Sequence, residues 1–109
     1  VITLDSTLGS ESIVRGNKTA ILSIRGSMLG IPGYSFGWPG DSPDEGFFWT
    51  NKPDPTSFDR ILDYLFEVDD EQWRGDVRAS NFPSLMVYDP GNSILRETLE
   101  RVLGVPPIP

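Results

Sequence analysis

The stretch from Gly26 to Trp49 constrains this chain more than any other. Within it a Gly-X-Pro-Gly unit occurs twice, seven residues apart, as Gly30-Ile31-Pro32-Gly33 and Gly37-Trp38-Pro39-Gly40. Proline presets φ for the second position of a turn, and glycine supplies the positive φ that the third position of a type II turn requires. Two similar turns therefore flank a spur, Tyr34-Ser35-Phe36. Pro32, Pro39 and Pro43 interrupt every helical window here. Residues 26–53 are thus expected to form a long ordered loop, and a loop of that length inside one domain usually carries function or contact.

Half of the chain's aromatic residues crowd into this loop: Tyr34, Phe36, Trp38, Phe47, Phe48 and Trp49. Two outcomes are open to them. They can fold back as a roof over the core, or they can stay exposed as anchors for a partner. Trp38, in front of a Pro-Gly turn, is the best-placed anchor.

Before the loop, residues 1–25 read as strands. Ile2-Thr3-Leu4 alternates, Ser12–Arg15 is a short β-rich run, and Thr19–Arg25 is the strongest strand pattern of the chain. Gly16-Asn17-Lys18 reads as a hairpin turn between the last two. After the loop a helix is expected over 54–68. Asp54 is its N-cap, Pro55 its first residue, and Phe58, Ile61, Leu62, Leu65 and Phe66 form one apolar stripe. Residues 84–88, Ser-Leu-Met-Val-Tyr, read as a strand. A second helix is expected over 93–103, with Leu95, Leu99, Val102 and Leu103 on one face, Gly104 as its end, and 104–109 as an extended tail. The expected fold is α+β in a single domain over 1–109. A small antiparallel β-sheet carries two amphipathic helices packed on one face, with the long Gly/Pro/aromatic loop beside them.

Composition narrows the chemistry. The chain has 109 residues and contains neither cysteine nor histidine. That removes thiol and imidazole nucleophiles, bases and metal ligands. Gly33-Tyr34-Ser35-Phe36-Gly37 matches the G-x-S-x-G pattern, but a nucleophile elbow needs a strand, a helix and a histidine around it. Net charge is −7, and residues 41–76 alone hold eleven acids against three bases. Such a block repels phosphate and argues against a nucleic-acid partner there. No 18-residue apolar run is present, so no membrane partner is expected. Asn17-Lys18-Thr19 forms a glycosylation sequon and Arg74-Gly75-Asp76 an integrin-type tripeptide, both short enough to arise by chance.

The expectation is therefore a non-enzymatic protein–protein interaction or assembly component, for example a small virion protein or a subunit of a larger complex. Its partner would be another protein or further copies of the chain. Contact residues would be Tyr34, Phe36, Trp38, Phe48 and Trp49, followed by the acidic lip Asp41, Asp44 and Glu45. No catalytic residue, metal or cofactor is expected. Two alternatives belong to other classes. One is an acidic inhibitor or decoy that binds a basic site through residues 41–76. The other is a carboxylate-based hydrolase or metal-binding domain, with Asp41, Asp44 and Glu45 as the first place to look. Nothing in the sequence indicates a compartment.

Overall fold

A computed structural model of the chain describes residues 1–4, 6–37 and 42–106. Trp38 and Asp41, two of the expected contact residues, lie outside the described residues, as does the tail from 107 to 109.

The sheet is parallel, which overturns the antiparallel expectation. Strands β1 (Ile2–Thr3), β2 (Ala20–Leu22) and β3 (Trp49–Thr50) lie in the order 1-2-3. Ile2 pairs with Ala20 and Ile21 with Trp49, all strands running the same way. Parallel neighbours cannot be joined by a tight turn, so the chain must cross back between them. Helix α1 (Thr7–Val14) is the first crossover. The Ser6 hydroxyl caps it by accepting the Leu8 N–H at 3.2 Å. Gly16-Asn17-Lys18 is therefore not a hairpin. Gly16, at φ +91°, turns the chain out of α1, its N–H donating to the Ile13 carbonyl at 2.9 Å.

The molecule is also richer in helix than expected: six helices are found among the described residues. A short α2 (Arg25–Leu29) follows β2, and a 3-10 turn spans Pro32–Tyr34. Helix α3 (Pro55–Glu67) starts from Asp54, whose side chain accepts the Thr56 N–H, with Pro55 in the first turn. It packs against β2 and β3. Ile61 of its stripe is fully buried, whereas Phe66 is 86% exposed. Helix α4 (Asp70–Ala79) follows directly. Asp69 caps it, Asp70 and Glu71 sit in its first turn and Arg78 in its last, all matching the helix dipole. Arg74-Gly75-Asp76 therefore lies inside a helix.

Residues 84–88 do not join the sheet. Helix α5 (Phe82–Leu85) takes up their start, because Pro83 suits a first helical turn and the Ser80 hydroxyl accepts the Phe82 N–H. Phe82 is buried, while Val87 and Tyr88 are exposed. Helix α6 (Ser93–Leu103) ends at Gly104 in the left-handed conformation. Its first turn is held by Asp89, which accepts from the Ser93 and Ile94 N–H groups at 3.2 and 2.9 Å.

The core gathers Ile13, Ile21, Phe36, Phe48, Trp49, Val68, Trp73 and Phe82. Its aromatic part is continuous. Phe48 meets Trp49 at 4.9 Å, Trp73 at 5.3 Å and Phe36 at 6.1 Å between ring centroids, all edge-on. Each such side chain contributes roughly 1.5–3 kcal/mol by leaving water, and the edge-to-face geometry adds to that.

Candidate functional site

Three of the rings expected to be anchors are core. Phe36, Phe48 and Trp49 are buried, and the Trp49 indole N–H donates to the Pro43 carbonyl at 3.0 Å. The Phe36 N–H donates to the Asn51 side-chain oxygen at 2.9 Å. Tyr34 differs: it is 44% exposed, with the Arg25 guanidinium 5.1 Å above its ring. Phe47, which the sequence does not distinguish from its neighbours, is exposed and stacks on Tyr64 at 5.5 Å.

The described part of the acidic lip is bound into the fold. The Asp44 carbonyl accepts the Asn51 N–H at 2.8 Å, and its carboxylate accepts from the Asn51 amide at 3.4 Å. Glu45 accepts from the Ser57 and Thr50 hydroxyls and lies 3.9 Å from Lys52 Nζ. The Ser57 hydrogen bond holds the Glu45 carboxyl below its ordinary range. Desolvation opposes it as the next largest effect, and Thr50, Lys52 and Arg60 each add a smaller lowering. Among the described residues no cluster of acidic side chains could hold a metal ion.

Several cavities open among the described residues, and their lining chemistry differs. One of about 360 Å³ lies beside Glu45, Phe47, Arg60, Asp76 and Ser80. Its polar groups already have partners. Asp76 accepts from the Tyr64 hydroxyl at 2.6 Å and from Gln72 at 2.8 Å, Arg60 donates to the Gly46 carbonyl, and Ser80 donates to the Val77 carbonyl. Burial and the Asp76 bond raise the Tyr64 phenol above its ordinary range. A second cavity, of about 340 Å³, is an apolar groove between Val14, Trp73, Phe82 and Tyr88.

A third cavity, of about 440 Å³, has a different make-up. Ser6 and Thr7 follow β1 and Ser23 follows β2, so it opens at the carboxyl ends of these parallel strands, beside the start of α1. Ligands in open α/β sheets characteristically bind at that end. Its lining is rich in hydroxyls: Ser6, Thr7, Ser10, Ser23, Ser35 and Ser84. Ser23 donates to the Tyr34 carbonyl at 2.7 Å and Ser84 to the Asn81 carbonyl. Among the described residues the hydroxyls of Thr7, Ser10 and Ser35 have no hydrogen-bond partner. Tyr34 and Phe36 supply apolar ring surface to the same space. Among the described residues its lining contains no carboxylate, lysine or arginine.

Of the expected contact residues, this cavity takes up only Tyr34 and Phe36. Serine and threonine in Ser6–Ser12 are ordinary surface residues by composition. The available signal was a strand, a capping serine and a second strand at crossover distance, which places Ser6 and Thr7 at a strand's carboxyl end.

Residues 1–103 match a family described as "putative O-antigen biosynthesis protein", and the chain belongs to that family. No curated protein and no solved structure matches the chain. Among the described residues no helix is long and apolar enough to cross a membrane.

Proposed function

We propose that this member of the O-antigen biosynthesis family is a non-enzymatic recognition component, and that its hydroxyl-lined cavity takes a sugar of that synthesis, free or activated. The observation that carries this reading is the set of hydroxyls, unpartnered among the described residues, that Thr7, Ser10 and Ser35 bring to the lining of this cavity. A saccharide presents alternating hydroxyls and C–H faces. The serine and threonine groups match the first, and the exposed ring of Tyr34 matches the second. Ligand sites of this size typically combine apolar lining with a few placed polar groups. An activated sugar brings phosphate as well, which the amide end of α1 favours.

The test is calorimetric titration of the chain with free monosaccharides, with sugar nucleotides and with the bare nucleotides. Binding of a sugar-bearing ligand, weakened about tenfold or more by Ser10→Val, Ser35→Ala or Tyr34→Ala in a folded protein, is the expected result. Failure of every sugar-bearing ligand to bind, or equal affinity for the bare nucleotide, overturns the saccharide reading. Turnover of a sugar nucleotide above the blank rate overturns the non-enzymatic part.

A second reading, assembly with another protein chain, is favoured by α6. None of its residues is buried, yet it carries a continuous apolar face. With Phe36, Phe48 and Trp49 in the core, this face is the longest helical apolar stripe left exposed among the described residues.

A further inference from the structure

Helix α6 is amphipathic by sequence but unaccompanied in the structure. Leu95, Leu99, Val102 and Leu103 are each between 40% and 71% exposed. At about 100° per residue these four fall within roughly 100° of arc, a single stripe. The radius of gyration is 16.1 Å, against about 13 Å expected for a compact chain of this length, consistent with an element that stands off the body. Contiguous apolar surface of this kind marks a contact site.

The pattern of charges beside the stripe says what covers it. Arg96 and Glu100 both lie on one flank, roughly 60° and 100° round from Leu99. The other flank, beyond Leu95 and Val102, carries Thr98 and Ile94 and no charge until Arg101. A two-fold axis perpendicular to the helix keeps each flank on its own side and reverses chain direction. With the axis near Leu99, Leu99 meets its counterpart and Leu95 faces Leu103. Arg96 of each copy then lies about 3 Å along the axis from Glu100 of the other, and these two attractions outweigh the single Glu100–Glu100 approach at the same spacing. A parallel two-fold pairing would instead carry the Arg96 and Glu100 flank of one copy to the opposite side from that of the other, so no such pair could form across the seam. The face is thus complementary to itself in one orientation, as an isologous contact requires.

We infer that two copies of this chain associate through antiparallel pairing of α6, with Leu95, Leu99, Val102 and Leu103 in the seam and Arg96 facing Glu100 across it. This rests on the assembly reading above and commits it to one partner, a second copy. The helix has eleven residues, about 16 Å of length, so the contact is smaller than a standard stable interface. The association is accordingly concentration-dependent, with dissociation in the micromolar range or weaker.

Sedimentation velocity of the chain over a concentration series tests it. The expected result is a monomer–dimer equilibrium that Leu99→Glu weakens about tenfold or more with far-UV circular dichroism unchanged. Arg96→Glu and Glu100→Arg should each weaken self-association, because each sets like charges across the seam. An equimolar mixture of these two variants should associate more tightly than either alone, an effect that pairing within one helix cannot produce. A chain that stays monomeric up to several hundred micromolar, or an association indifferent to Leu99→Glu, overturns the inference. O-antigen production in cells carrying Leu99→Glu separates this from the parent reading. Loss of product despite a monomeric wild-type chain overturns only the choice of partner, whereas full production overturns assembly through α6 altogether.

Discussion

The side-chain oxygen of Asn51 accepts the backbone N–H of Phe36 at 2.9 Å. Asn51 sits immediately after β3, and its own N–H and amide are turned to Asp44. One buried residue therefore fastens two points of the Gly/Pro loop, Phe36 and Asp44, to the end of β3. This is how a loop with little regular structure holds Phe36 against Phe48 and Trp49.

Asn51→Ala should remove that clasp and leave the Phe36 amide buried without a partner. An orphaned buried amide costs about 1–3 kcal/mol. Urea unfolding should show a loss of this size. The tryptophan fluorescence of Trp49 should shift to the red if the loop opens while the rest stays folded. An unchanged midpoint would mean that the rings alone keep the loop closed.

The crossover from β1 makes an equally specific demand. A Cβ at Gly9 would lie 2.2 Å from Thr3 Cγ2, so α1 approaches β1 more closely than any other residue permits. Gly9→Ala gains helix propensity of roughly 0.5–1 kcal/mol, but the clash should outweigh it and leave a net loss of about 1–2 kcal/mol. Thr3→Ser deletes the methyl in question. Gly9→Ala made in a Thr3→Ser background should then cost much less than alone. Additive losses in that double-mutant cycle would show that the close approach is not the cause.

How far this architecture could be read from the sequence depended on element length and on what the residues were paired with. Helix α3 was legible because Asp54-Pro55 marks its start and Phe58, Ile61, Leu62 and Leu65 set its period. Helix α6 was legible from its stripe and Gly104. Strand direction was not. Strands of two or three residues are too short for alternation to say which way they run, and Gly16-Asn17 is turn chemistry that serves a hairpin or a helix end equally. Helix α1 hid because Leu8, Ile13 and Val14 are its only large apolar residues. Helix α4 hid because Asp69-Asp70-Glu71 looks like an acidic helix end, although it is the cap and first turn of the next helix. The roof-or-anchor question for the loop rings turned on Asn51, whose bond to a backbone N–H fifteen residues away leaves no local signature. The hydroxyl-lined cavity was illegible for a related reason. Ser6, Ser10, Ser23 and Ser35 become a set only once parallel strands bring their ends together.

The first turn of α6 depends on a carboxylate outside the helix. Asp89 accepts from the Ser93 hydroxyl at 2.7 Å and from two backbone N–H groups, while Asn92 caps nothing with its own side chain. The Ser93 hydroxyl and the Ile94 N–H hold the Asp89 carboxyl below its ordinary range. Asp89→Ala should fray α6, seen as lower helicity by circular dichroism and faster amide exchange at 93–96, with the core protected as before. If α6 is the dimer contact, the same substitution should weaken self-association without touching the seam.

Glu45 gives the fold its clearest acid dependence. Its carboxylate ties the loop to α3 through Ser57 and to β3 through Thr50, and these bonds favour the charged form. The folded-state pKa is therefore depressed relative to the unfolded chain. A depressed carboxyl contributes stability that is complete above the unfolded value, about 4.3, and is lost as pH falls through the lower folded value. Stability of the wild type should thus decline on acidification below about pH 4.5, beyond whatever its exposed carboxylates contribute. Ser57→Ala removes the largest cause of the shift and should return Glu45 toward its ordinary range. Its stability should be lower at neutral pH, and the difference from wild type should shrink as pH falls toward 3. Thermal melts of the two proteins from pH 7 to pH 3 measure this directly. Parallel curves, with a gap that stays constant to pH 3, would show that Glu45 gains nothing from Ser57 in the folded state.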